Sequence, residues 1–239
     1  FDFENGEGKK YALIYGINDY LTIGDLQYCI NDANGIYDIL QEHDFEIIIR
    51  TNDEATKTNI QNDIQNLVLS MEAEDYLLFY FAGHGTFKLN IDDTYTEYFI
   101  PYEGDPASYD TFIADDEFAE WLDPAGTDKI SLMFDHCYSG GHVDDNYESY
   151  FSLNRQRFTV ITASKANETS LEYGAPINHG IFTYYLIKGL TDNNADINSD
   201  KTIALSELYY YCSVKVTGST SNQQHPQFLG NTGVELIIF

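Results

Sequence analysis

The chain has 239 residues, 43% of them hydrophobic, and its 20 Tyr and 15 Phe supply material for one sizeable core. Its 39 acidic against 12 basic residues give a formal net charge of -27. That balance argues against nucleic acid or an anionic membrane as partner and suits cationic peptides or divalent metal ions. No linker-like run, fixed-period repeat or bilayer-length apolar stretch interrupts the sequence, so one domain over 1–239 is expected, with 1–9 leading in. The chain opens at Phe1, which reads as a trimmed start, and cytoplasmic and secreted settings both stay open. Cys29, Cys137 and Cys212 make neither a disulfide framework nor a zinc spacing.

In chain order, 11–17 reads as a buried strand and 33–42 as a helix with Ile36, Tyr37, Ile39 and Leu40 on its apolar side. A second strand follows at 45–50. Residues 56–71 carry Ile60, Ile64, Leu67 and Val68 at helical spacing. The third strand, 76–81, is continuously apolar and suits burial on both faces. Residues 95–102 suit a small strand pair. A helix opens at Asp115 and runs through Phe118 and Trp121, with Asp115, Asp116 and Glu117 at the positive end of its dipole. Strands are expected at 130–134 and 158–163, helices at 181–190 and 204–214, and a closing strand at 234–239. Strands separated by helix-length segments predict parallel pairing with helices on both faces. The expected fold is α/β, a three-layer αβα sandwich around a mainly parallel six-stranded sheet.

Two strand ends carry the chemistry. Phe79-Tyr80-Phe81-Ala82-Gly83-His84-Gly85 and Ile130-Ser131-Leu132-Met133-Phe134-Asp135-His136-Cys137-Tyr138-Ser139-Gly140-Gly141 each stop an apolar run at a small-residue turn with a reactive side chain. The carboxyl ends of parallel strands are where ligands bind in open α/β sheets. A thiol at one end and an imidazole at another supply the nucleophile and the acid–base group of thiol catalysis. The amides of Gly85 and Cys137 are placed to donate to a tetrahedral oxyanion. His136 and His142 are rival bases. His136 adjoins Cys137 in nearly extended chain, so its side chain is expected to point away from it.

These residues resemble the caspase-like cysteine peptidase superfamily, in particular metacaspases and their prokaryotic relatives, the orthocaspases. The matching segments are Tyr15-Gly-Ile-Asn-Asp-Tyr20, Leu26-Gln-Tyr-Cys-Ile-Asn-Asp-Ala33, Phe81-Ala-Gly-His-Gly85, Ile113-Ala-Asp-Asp-Glu117 and Asp135-His-Cys-Tyr-Ser-Gly140, in the family's order. The resemblance implies a Cys137–His84 dyad, an oxyanion held by the Gly85 and Cys137 amides, and cleavage of protein or peptide substrates after Arg or Lys. It implies an S1 pocket built on Asp32 and Asp135, where a carboxylate two residues before the nucleophile suits a substrate cation. Ala82 stands where the family often has Ser, and Cys29 at a position that sometimes holds a second Cys. The metacaspase branch implies a monomer.

Calcium is the expected cofactor, at two places. In 196–207, Asp196, Asn198, Asp200, Thr202 and Glu207 fall at the ligand positions of an EF-hand-like loop, with Lys201 at the position usually held by Gly. The resemblance implies a second site at Asp115, Asp116 and Asp144, where Thr96-Glu97 replaces the relatives' Asp-Glu pair. Self-processing is expected at Arg155, Arg157 or Lys88. Two other readings remain open: a calcium-responsive interaction module, and a clostripain-, gingipain- or legumain-like peptidase with another P1 preference.

Overall fold

A computed structural model describes residues 8–143 and 157–230. The central strand is β3 (Tyr76–Ala82), whose seven residues are all buried. Its side chains alternate between two cores, as the twofold period of a strand requires. Leu77, Phe79 and Phe81 face one core, while Tyr76, Leu78, Tyr80 and Ala82 face the other.

Parallel neighbours flank it: β1 (Lys10–Gly16) then β2 (Phe45–Thr51) on one side, β7 (Ile130–Asp135) then β8 (Phe158–Thr162) on the other. The far edge is β11 (Gln227–Leu229), antiparallel to β8, which completes six strands. Helices α1 (Cys29–Leu40), α4 (Ile181–Thr191) and α5 (Leu205–Ser219) cover one face. The other face is covered by α2 (Lys57–Val68) and α3 (Asp115–Leu122). This is the expected three-layer sandwich. The expected strand at 234–239 lies outside the described residues.

Differences from the sequence reading have identifiable causes. Helix α1 begins at Cys29, four residues earlier than its apolar period suggests. The amides of Gln27 and Tyr28 just ahead of it donate to Glu172 at 3.2 and 3.1 Å, so a carboxylate more than 140 residues away fixes the chain entering the helix. Strand β5 (Tyr95–Phe99) is the middle of three antiparallel strands, between β4 (Gly85–Leu89) and β6 (Ile113–Ala114). Two short strands missed by sequence, β9 (Glu172–Tyr173) and β10 (His179–Gly180), pair antiparallel and bring Glu172 and Gly180 together. Among the described residues, no helix is long and apolar enough to cross a membrane.

Candidate active site

Strands β3 and β7 end side by side, with Phe81 opposite Phe134 and Ala82 opposite Asp135. His84 and Cys137 each follow two residues beyond the last pair, so both line one cavity. The amide of His84 donates to the Tyr20 hydroxyl at 2.7 Å, and the two rings lie 4.9 Å apart. His84 Nε2 is 2.8 Å from the carbonyl oxygen of Gly24. A carbonyl only accepts, so the ring proton sits on Nε2 and Nδ1 is left as the proton acceptor. Burial pushes the Cys137 thiol up, so it rests protonated, with Sγ 3.9 Å from the Ser170 carbonyl.

The turn after Cys137 is sharp. Tyr138 takes the left-handed conformation at φ 64°, and its amide donates to the Glu168 carbonyl at 2.8 Å. Gly85 packs directly against this turn. A Cβ there would lie 1.9 Å from His136 Nδ1 and 2.7 Å from the Cys137 carbonyl oxygen, so only glycine lets the two strand ends approach.

The His136 ring lies in the core against Phe81 and Phe134. Its Nδ1 lies 2.8 Å from the Cys137 carbonyl, and Nε2 lies 3.2 Å from His142 Nε2. His142 in turn stacks on Phe134 at 4.5 Å. Both rings are buried, and burial lowers His136 to about 4 and His142 well below the usual histidine range. These are neutral packing imidazoles. Among the three histidines near the thiol, His84 is the partly exposed one.

The cavity that holds the thiol, about 60 Å³, is also a slot lined by Asp32, Asp135 and Glu172. Asp135 is held by Ser170 Oγ at 2.6 Å and by Thr183 through its amide (3.2 Å) and hydroxyl (2.6 Å). Asp32 lies 2.7 Å from His179 Nδ1 and accepts from the Gly180 amide at 3.1 Å. Gly180 caps α4 between the two carboxylates, where a Cβ would meet Asp135 Oδ2 at 2.6 Å and Asp32 Oδ2 at 3.1 Å. Burial raises both carboxyls, and for Asp32 the nearby Asp135 and Glu172 charges add to it. Among the described residues, no Lys or Arg lines the slot. Sequence reading missed Glu172, Gly180 and Gly24. Glu172 and Gly180 lie on the short β9–β10 pair, and Gly24 in the loop after β1, none of which carries a periodic signal.

Asp115 opens α3 buried, its carboxyl pushed up to about 7, mainly by burial and then by Asp116, which is exposed. Glu97 is also buried and packs on Gly141, while Asp144 lies outside the described residues. In the 196–207 loop, Lys201 takes the left-handed conformation (φ 73°) at the position usually held by Gly. Glu207 Oε1 accepts from the amides of Ile197 and Asn198, at 3.2 and 3.1 Å, and Oε2 from Ala204 at 3.1 Å. Asp200 accepts from the Thr202 amide at 2.9 Å, and the Asp200 amide donates to Asn198 Oδ1 at 2.8 Å. Among the described residues, three His, Cys, Asp or Glu ligand atoms within 4.8 Å of one another are found at Cys29, Asp32 and Glu172.

Of the candidate processing positions, Arg157 is anchored rather than free. Its guanidinium donates to the carbonyls of Leu122, Asp123 and Ala125 and pairs with Asp123 at 3.0 Å. Lys88 lies on β4 with Nζ 5.1 Å from the Tyr109 ring centroid. Arg155 is outside the described residues.

A thiol and an imidazole at neighbouring strand ends of an αβα sandwich define the architecture of a caspase-type cysteine peptidase. The chain belongs to the caspase-domain family, whose model matches residues 9–235. Metacaspase-1 of Schizosaccharomyces pombe is 32% identical over 161 residues, covering 60% of this chain and 37% of that protein. Metacaspase-1 of Coccidioides immitis is 31% identical over 164 residues, covering 62% of this chain and 35% of that protein. The chain therefore spans well under half the length of these relatives. A crystal structure of a Geobacter sulfurreducens protein superposes with TM-score 0.67 over 93% of this chain and 94% of that one, at 18% identity, which is a likeness of fold.

The glycine between the two slot carboxylates yields a direct expectation. Gly180→Ala fills the space beside Asp32 and Asp135, so an amidinium ligand such as benzamidine should raise the Tm of the parent protein but not of the variant. Equal shifts in a thermal-melt titration would place the cation elsewhere.

Proposed function

We propose that the protein is a cysteine endopeptidase that cleaves after Arg or Lys. What carries this reading is one cavity holding His84, Cys137 and the Asp32–Asp135–Glu172 slot together. The substrate cation enters the slot and sets the scissile carbonyl over Cys137. His84 Nδ1 takes the thiol proton as Sγ attacks the carbonyl carbon, and the resulting oxyanion receives the Gly85 and Cys137 amides. The imidazolium returns its proton to the leaving amine, which departs as the C–N bond breaks. Water, deprotonated by the same imidazole, hydrolyses the thioester and regenerates the thiol. Deprotonating a half-buried thiol beside acidic neighbours is unfavourable at rest, which ties reactivity to substrate arrival.

Peptides ending in Arg or Lys before a fluorogenic leaving group should be hydrolysed at least tenfold faster than Asp or Asn counterparts. Cys137→Ala should abolish turnover, with the difference expressed as kcat/KM. Equal rates on all four peptides would remove the slot from specificity. No hydrolysis by intact protein would favour the interaction-module reading. The preference also carries a pH signature. Because Asp32 and Asp135 hold their protons above the ordinary carboxylate range, acidification neutralises the slot early. KM for Arg peptides should therefore rise as pH falls, starting above the usual range of about 4.

Calcium is proposed as the activating ion. Asp115 and Asp116, with Asp144, are the proposed oxygen donors for a hard cation, and Glu97 packs on Gly141 in the turn after Cys137. An ion there would neutralise the buried carboxylates next to the nucleophile turn. The Asp196, Asn198, Asp200, Thr202 and Glu207 loop is proposed as a second, structural site; there the ion would compete with backbone amides for Glu207. Self-processing is proposed in the segment that contains Arg155. Calcium against chelator should raise the Tm, with the rise diminished by Asp115→Asn and by Glu207→Gln separately. Unchanged shifts in both variants would reject both sites.

A further inference from the structure

We infer that a second cavity, on the other side of His84 from the acid slot, receives the substrate residue immediately after the scissile bond and selects a large apolar side chain there. This rests on the dyad reading proposed above. The chemistry sets the direction. His84 must protonate the departing amine, so the chain beyond the scissile bond leaves past the imidazole and not through the slot that holds the preceding side chain.

His84 is a wall of both cavities, and Gly85 lines the second. The second cavity is about 380 Å³, several times the volume of the slot, and is walled by Ile23, Ile100, Pro106, Tyr109 and Phe112. Its carboxylate, Asp25, is exposed and accepts from the Tyr20 amide at 3.1 Å. One cavity therefore offers carboxylates and the other hydrocarbon. Two sides of one imidazole with opposite chemistry read a two-residue signature, a cation followed by an aliphatic or aromatic side chain.

The same loop adds a kinetic consequence. Gly24 lines this cavity and also supplies the carbonyl that fixes His84 Nε2. A side chain seated against Ile23 and Gly24 packs on the segment that orients the base, so its binding energy is realised partly in kcat.

The test uses internally quenched peptides with Arg before the scissile bond and Phe, Leu, Ala or Asp after it, assayed with intact protein. Phe and Leu should exceed Ala in kcat/KM by about tenfold, with Asp lowest. Ile23→Asp and Tyr109→Ala should each shrink the Phe-over-Ala ratio. Equal rates across the four peptides would overturn the inference. So would selectivity that follows the residue before Arg in a second series varied at that position. The wild-type panel decides the matter even where a variant misfolds. A protein that cleaves none of the peptides and is not alkylated at Cys137 by a peptidyl-arginine chloromethyl ketone would overturn the peptidase reading, and this inference with it. Normal alkylation with flat peptide selectivity overturns this inference alone.

Discussion

The parallel pairing of β3 with β7 is the constraint on which the rest depends. Its register brings Ala82 opposite Asp135, and each chain then runs two further residues to its reactive side chain. A slip of one residue would turn Phe79, Phe81 and Phe134 out of their shared core and send their neighbours to the opposite face. The rings beneath resist this. Phe79 lies 4.6 Å from Phe118 and 5.7 Å from Phe134, and Phe81 lies 4.9 Å from Phe99. The core that stabilises the sheet and the geometry that aligns thiol with imidazole are thus one set of contacts.

The slot shows how acids can be concentrated without unfolding the protein. Asp32 and Asp135 meet the amide-bearing start of α4, through Gly180 and Thr183, while Glu172 meets the start of α1, through Gln27 and Tyr28. Helix N-termini supply partial positive charge without a competing side-chain cation. A Lys or Arg in their place would fill the slot from within. Backbone dipoles stabilise the carboxylates without occupying the space beside them.

Much of the framework was legible because it rests on local periodicity. The buried run of β3, the apolar stripe of α2 and the small-residue turns at His84 and Cys137 all announce themselves within a dozen residues. The role of Asp135 was suggested both by its place two residues before the nucleophile and by family resemblance, that of Asp32 by resemblance alone. Glu172 and Gly180 were not readable at all, because what gives them meaning is contact across the fold, 144 residues in the case of Glu172 with Tyr28. His136 shows what alternation leaves out. It directs the side chain away from the thiol, but not to the Cys137 carbonyl that its Nδ1 meets, which depends on the missing Cβ of Gly85. Local pattern predicts elements well and turns badly, since a turn answers to whatever packs against it.

The buried acids Asp32 and Asp135 set chemistry against durability. Burial makes their charges costly, so the fold keeps them at the expense of its own stability. Selection for heat resistance alone would therefore drift toward neutral side chains at these two positions.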